Sequence, residues 1–283
     1  MTNEKKRMLA EAAAKIRLLV AESGYGAASG HPGGSLSIAE IVAYLYFDKM
    51  NIDPVNPRDP SRDRFVLSKG HACPALYAAL AMRGYFPESA LAMLRKRGGF
   101  LRGHPDMNST PGVDMSTGSL GQGFSAANGM ALVARRRNLG YRVYSILGDG
   151  ELQEGQVWEA AMFAAHYGLS NHTAFVDYNH LQIDGDVREV MNPLPIDEKF
   201  AAFGWHVQTI DGHAFEQIEQ AVLRAERDER PSVIICNTVK GKGVSYMENA
   251  AEWHGKAPDE KLYETARKEL YDAYMRAKEA REA

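Results

Sequence analysis

Gly148-Asp149-Gly150, with Asn179 lying 30 residues past the aspartate, is the part of this chain best spaced to do chemistry. The run before it, 141–147, is apolar and β-prone. The run after it, 155–167, reads as a helix, and a second apolar run, 173–177, delivers Asn179 at its end. Strand, turn, helix, strand places a carboxylate and a carboxamide at the C-terminal ends of two parallel strands, beside a helix N-terminus. Open α/β sheets bind ligands at such ends, and helix N-termini favour anions. A divalent cation that bridges a diphosphate needs this arrangement, because Mg²⁺ takes hard oxygen ligands and shares them with phosphate oxygens. The same residues also suit a plain βα turn with an Asp cap and a solvated Asn, so the motif depends on its context.

Histidines supply part of that context. His31, His71, His104 and His254 each sit next to a glycine, in a long loop or after a strand. Their spacing is not that of zinc ligands. Neutral imidazoles grouped together suit binding polyhydroxylated substrates and moving protons, whereas any one alone reads as a loop histidine with an ordinary hydrogen bond. Two other glycine motifs are set aside. Gly121-Gln-Gly123-Phe-Ser-Ala126 fits a dinucleotide fingerprint, but 113–118 is a poor strand to precede it. Lys240-Gly-Lys242-Gly243 lacks the first glycine of a phosphate loop and reads as a flexible or substrate-covering loop, with Lys242 the candidate to touch an anion.

Elements that can position these residues follow from periodicity. Strands are expected at 64–68, 141–147, 173–177, 205–210 and 232–239, alternating with helices at about 4–23, 37–47, 74–82, 155–167, 197–203 and 214–228, with further helices ending at 137 and running from 258. That alternation implies an α/β fold with a mostly parallel central sheet covered by helices on both faces. Loops 24–34, 98–123, 180–196 and 240–257 exceed ordinary connections and are read as functional. The chain has 283 residues, 45% of them hydrophobic, enough for one large domain. A net charge of −3 without a basic block argues against nucleic acid. Arg135-Arg136-Arg137 reads as a solvated helix end. Two cysteines without a framework suggest a reducing cytoplasm. There is no signal-peptide core and no run of 18 apolar residues, so no membrane role is expected.

The spacing from Asp149 to Asn179 resembles the thiamine diphosphate motif, although the frequent Asn pair is here Tyr178-Asn179. SGHPGGSLS (29–37), LSKGHA (67–72), RGHPD (102–106), STGSLGQGFSAANGMAL (116–132), GDGELQEGQVWEA (148–160) and WHGKAP (253–258) then occur in the order found in transketolases. Over essentially its whole length the chain resembles the N-terminal, diphosphate-binding domain of that family, taken as a single domain over 1–283.

The resemblance implies thiamine diphosphate and Mg²⁺ as cofactors, with Ca²⁺ or Mn²⁺ as alternative metals. Asp149 and Asn179 would hold the metal by side-chain oxygens and Leu181 by its carbonyl. His71 and the turn Gly118-Ser119-Leu120 would hold the cofactor, Gly118 near the diphosphate and Leu120 near the aminopyrimidine. Gly148 belongs to the motif, and Gly150 would let the backbone approach the phosphates. His31 and His254 would face substrate and take up the proton of the donor C3 hydroxyl, and His104 would bond hydroxyls next to the reacting carbon. Glu154 and Glu159 would belong to a carboxylate network linking paired active sites.

A full transketolase is more than twice this length and has a second domain that binds the aminopyrimidine. The resemblance therefore implies the N-terminal half of a split transketolase. Its partner would be a separate C-terminal chain, the two forming a heterotetramer with two copies of each. Ketol transfer between sugar phosphates is the implied reaction, with branched or sulfonated ketoses, or a non-catalytic cofactor-binding role, as alternatives. The alpha chain of a 2-oxo acid dehydrogenase would lack the GHPGGS and LSKGHA runs, and deoxyxylulose-5-phosphate synthase fits these segments less well.

Overall fold

Residues 1–283 are described by a computed structural model. In chain order the helices and strands are α1 (Asn3–Gly26), α2 (Pro32–Leu36), α3 (Ala39–Tyr44), β1 (Arg64–Leu67), α4 (Cys73–Met82), α5 (Gln122–Arg136), β2 (Val143–Gly148), α6 (Gly155–His166), β3 (His172–Tyr178), β4 (Leu181–Gln182), β5 (Gly185–Asp186), α7 (Val187–Met191), α8 (Ile196–Ala202), β6 (His206–Asp211), α9 (Phe215–Arg227), β7 (Ser232–Asn237) and α10 (Glu260–Glu282).

All five expected strands form, and they pair in parallel in the order β1-β2-β3-β7-β6. Side chains alternate across a strand, and here both faces are covered. Phe65, Leu67, Tyr144, Ile146, Phe175, Ile234 and Cys236 enter one core with α1, α3, α4, α9 and α10. Val66, Val143, Leu147, Ala174, Val176, Val233 and Ile235 enter the other, with α5, α6 and α8. That two-sided burial is why the strands read as continuous apolar runs rather than alternating ones.

Helices form where apolar spacing and caps agree. In α9, Phe215, Ile218, Ala221, Val222 and Ala225 make a buried stripe at helical spacing. Asp259 caps α10 by accepting from the Leu262 N–H at 2.9 Å. Helix α10 then packs along α1, where Tyr25 and Tyr263 stack with ring centroids 3.9 Å apart. No helix is long and apolar enough to cross a membrane.

The differences from expectation lie in the long loops. Gly33 and Gly34 fall inside helix α2, although glycine disfavours helices. Pro32 at its first turn favours a helix start, and a Cβ on Gly33 would sit 3.0 Å from Lys240 Cγ and from the Trp253 carbonyl. Close packing thus selects glycine there despite its propensity. The loop 180–196 folds into the two-stranded β4–β5 ribbon and α7. After Asp149 the chain makes a 3-10 turn, Gly150–Gln153, before α6 begins, so the motif does not open directly into that helix.

Candidate active site

The parallel strands deliver their C-terminal ends to one edge of the sheet, where a cavity of about 350 Å³ opens. Its walls include His31, His71, Gly118, Leu120, Gly148, Asp149, Gly150, Glu154, Asn179, Leu181 and His254. These come from segments spread over most of the chain, so the sheet brings together most of the expected residues. His104 completes the histidine group from beyond the wall. Its ring centroid is 6.3 Å from that of His31, which lies 5.3 Å from His71 and 5.5 Å from His254. Two expected residues stand apart. Ser119 is exposed and is not part of the wall. Glu159 lies in a separate depression on α5 and α6, with Ser125, Gln156 and Phe163.

Asp149 is the most exposed to electrostatic cost. It is buried, accepts from the Gly150 N–H at 2.8 Å and the His180 N–H at 2.7 Å, and makes no ion pair. Burial first, and then the neighbouring Asp177 carboxylate, push its carboxyl up to about 7. Asn179 donates its amide N–H to Asp177 at 2.9 Å, which fixes the orientation of the amide, and its oxygen accepts from the Leu181 N–H at 3.2 Å. The Leu181 carbonyl accepts from Lys240 Nζ at 2.9 Å.

These oxygens can be tested against a divalent cation. One carboxylate lacking positive charge, one oriented amide oxygen and one carbonyl already drawing a cationic group form a hard-oxygen donor set suited to Mg²⁺. No three His, Cys, Asp or Glu residues converge as metal ligands in the chain, so a metal here would be held by these three oxygens together with oxygens of the bound diphosphate. Lys69 and Lys240 bring positive charge to the same cavity, and Gly118 and Gly150 keep its walls open. The residues fit a metal-bound diphosphate.

Four charged residues that hold this site together are not evident from sequence reasoning. Lys69 and Asp177 form an ion pair whose side chains are 1% and 0% exposed. Lys69 also donates to the Gly34 carbonyl at 2.7 Å. Asp177 accepts from Ser37 Oγ at 2.7 Å and from the Thr238 hydroxyl. Burial raises the Asp177 carboxyl, but Lys69 and the hydroxyl donors bring it net below its usual value. Glu151 accepts from the Gly121 N–H at 2.8 Å, the Gly148 N–H at 3.1 Å and the Ser68 hydroxyl, tying three loops together, while burial keeps its carboxyl raised. Lys240 is the fourth, and here the expectation shifts by two residues. Lys242 faces outward toward Glu248 at 3.6 Å, whereas Lys240 is buried in the cavity, with burial lowering its ammonium to about 8. Lys69 lies just past β1 and Asp177 near the end of β3, positions that the sequence alone reads as strands reaching solvent.

The imidazoles are held neutral. Burial is the main cause for each: His31 is lowered to about 4, His254 to about 3, and His71 and His104 are lowered as well. Neighbouring cations add to this, Arg95 at His31 and His104, Lys240 at His254, and Lys69 at His71. Lys240 Nζ lies 3.0 Å from His254 Nδ1. An ammonium only donates, so this Nδ1 carries the lone pair. Neutral donors and acceptors of this kind suit a polyhydroxylated ligand.

A family model described as "Transketolase, thiamine diphosphate binding domain" matches residues 8–275. This chain belongs to that family. Among transketolase relatives, the 6-deoxy-6-sulfo-D-fructose transketolase subunit SqwG of Clostridium sp. (strain MSTE9) is 54% identical over 243 residues, 85% of this chain and 88% of the relative. An apulose-4-phosphate transketolase subunit of Phocaeicola vulgatus is 40% identical over 257 residues, 90% and 91% of the two chains. Of solved structures, the transketolase of Campylobacter jejuni superposes with a TM-score of 0.87 at 33% identity. That match covers 97% of this chain and 46% of the solved one, so the chain spans about half the length of that transketolase.

The fold of this transketolase-family chain depends on close loop contacts around the cavity. A Cβ on Gly70 would sit 2.8 Å from the Gly118 nitrogen and 2.6 Å from Thr117 Oγ1. Gly70→Ala is therefore expected to push the His71 turn away from the Gly118 turn, costing about 1–3 kcal/mol. Thermal unfolding and cofactor titration check it, and a variant as stable as wild type with unchanged cofactor affinity would show that these turns are free to move.

Proposed function

We propose that this chain is the diphosphate-binding subunit of a thiamine diphosphate- and Mg²⁺-dependent transketolase, completed by a second chain that carries the pyrimidine-binding domain. One observation carries the reading: four neutral histidines and the Asp149–Asn179–Leu181 oxygen set meet around a single group of strand ends. The two relatives matched over nearly their whole length are themselves named as transketolase subunits, which supports a partner chain. An assembly of two copies of each chain is proposed, with Glu154 and Glu159 near the contact between active sites.

In this reading Asp149, Asn179 and the Leu181 carbonyl hold the metal, and Lys240, His71, Gly118 and Gly150 face the diphosphate, with Gly148 and Glu151 shaping the turn. Ser119 and Leu120 form the turn that borders the aminopyrimidine. Bound thiamine diphosphate supplies an electron sink for the carbon left when a ketose C2–C3 bond breaks. The chain's own contribution is position and exclusion of water. His31, His104 and His254 bind and orient the ketose and aldose hydroxyls beside the reacting carbon, and their neutrality lets them donate or accept hydrogen bonds without adding charge.

The 54% identity to a sulfofructose transketolase subunit favours a sulfonated ketose as donor, over xylulose 5-phosphate. Initial rates with 6-deoxy-6-sulfofructose and with xylulose 5-phosphate, measured in the two-chain complex, test the choice. A higher kcat/KM for the phosphate donor would reject the sulfonated one, and no turnover of any ketose would reject the enzyme reading.

His31→Ala is expected to leave cofactor affinity within about threefold while lowering kcat/KM for the donor by about 10²-fold, the scale of one positioned hydrogen-bonding group beside the reacting carbon. Cofactor titration alongside donor-cleavage kinetics checks this. Equal losses in both would make His31 a structural residue.

A further inference from the structure

We infer that Arg95 is a positioning residue that fixes the tautomer of His31, so that His31 presents an Nε2–H donor to substrate rather than a lone pair. The inference rests on reading the cavity as a ketol-transfer site, and it changes the role expected of His31 there.

Arg95 stands beside the histidine group with only neutral partners. Its Nη1 donates to Ser29 Oγ at 2.9 Å, its Nη2 donates to the Gly103 carbonyl at 3.2 Å, and Nη2 lies 3.4 Å from His31 Nδ1. A guanidinium has no acceptor and stays protonated. His31 Nδ1 facing it must therefore be the lone-pair nitrogen. The proton of the neutral ring then sits on Nε2, on the Gly255 side of the ring, 3.6 Å from where a Cβ on Gly255 would lie, and the ring itself is part of the cavity wall.

The loop is built for this contact. Arg95 has φ 57, in the left-handed region that non-glycine residues seldom adopt. Its N–H is held by the Leu101 carbonyl at 2.9 Å. A Cβ on Gly103 would lie 2.9 Å from Arg95 Cζ, so the guanidinium crosses directly over this glycine and a side chain there would displace it. Cys73 Sγ and Tyr77 Oη donate to the carbonyls of Gly103 and His104, at 3.3 and 3.0 Å, and secure the opposite side.

The charged groups bearing on the His31 ring are Arg95 and Lys240, with His104 beside them, and the His71 and His254 rings complete its surroundings. Both cations disfavour a second proton, in the same sense as burial. His31 thus stays neutral, and its Nε2–H can stabilise charge that develops on a substrate oxygen. To act as the proton acceptor instead, the ring would first have to give up its contact with Arg95.

Ring ¹⁵N spectra of the full chain, labelled at histidine, test the inference, with the His31 signals identified by their loss in His31→Asn. Nδ1 in the lone-pair range and Nε2 in the N–H range are expected. Arg95→Met should mix or reverse this pattern and raise the His31 titration midpoint by about one unit, while Arg95→Lys should restore it at least in part. A wild-type spectrum with the proton on Nδ1 overturns the inference, as does a wild-type pattern and midpoint that persist in Arg95→Met. Should Arg95→Met fail to fold, the wild-type spectrum alone decides the tautomer. The spectra require no turnover, so an inactive chain with an Nε2–H His31 would support Arg95's role while rejecting ketol transfer.

Discussion

Asp149→Ala is expected to abolish Mg²⁺-dependent binding of thiamine diphosphate, with an affinity loss of at least about 10²-fold, because the one charged ligand of a hard-oxygen set is removed. Calorimetric or fluorescence titration of cofactor with Mg²⁺ present reads this directly. The apo protein should respond in the opposite sense. Asp149 is buried without an ion pair, and its carboxyl is raised to about 7. A raised carboxyl means that the folded chain holds the proton more tightly than the unfolded chain. Its ionisation therefore costs stability as pH rises from the unfolded value toward about 7. Asp149→Asn removes that cost and should leave the apo protein at least as stable as wild type above pH 7, while still losing metal. Binding of metal must also displace the Asp149 proton, so affinity should rise with pH and level off above about 7. Full cofactor affinity in Asp149→Ala would contradict the metal assignment.

Breaking the Lys69–Asp177 pair should produce the largest loss of stability. Asp177→Ala leaves the Lys69 ammonium buried with only the Gly34 carbonyl, and frees Ser37, Thr238 and the Asn179 amide from their shared acceptor. Removing one partner of a buried pair costs about 3–5 kcal/mol, which for a chain of this size lowers Tm by roughly 10 °C. Lys69→Met should behave similarly by leaving Asp177 buried and unpaired. The double variant Lys69→Met with Asp177→Ala should be less destabilised than the sum of the singles, because no uncompensated charge remains. Thermal unfolding of the four proteins gives the coupling. Additive losses would mean the two groups do not act as a pair. Cofactor affinity should fall in the two variants that lack Asp177, since there the Asn179 amide loses the bond that aims its oxygen.

The sheet was legible from sequence because burial on both faces turns each strand into an apolar run. All five runs became paired strands within a few residues of their expected ends. The residues around the cavity were legible for a different reason. Glycine, histidine and aspartate placed just past strand ends have few structural uses, so Asp149, His71 and Asn179 stood out. Lys69, Asp177, Glu151 and Lys240 did not, because a charge at the end of an apolar run reads as the place where a strand reaches solvent. In the folded chain all four are buried, with Lys69 bonded to the Gly34 carbonyl of α2, Glu151 to the Gly121 N–H and Lys240 to the Leu181 carbonyl. Helix α2 was hidden by its two glycines, whose propensity argues for a loop, whereas close packing of Gly33 against Lys240 and Trp253 selects glycine within the helix. Ser119 and Glu159 were legible only through the family resemblance: the folded chain sets Ser119 at the surface and Glu159 in a separate depression on α5 and α6, outside the cavity wall.

Ketol transfer to ribose 5-phosphate, with thiamine diphosphate and Mg²⁺, tests the central claim most directly. It would be measured with this chain alone and with this chain mixed with a chain supplying the pyrimidine-binding domain, using xylulose 5-phosphate and 6-deoxy-6-sulfofructose as donors. Transfer in the mixture and none from this chain alone is the predicted result. Transfer by this chain alone, or none from either donor in a mixture that forms a stable complex and binds cofactor, would contradict the account.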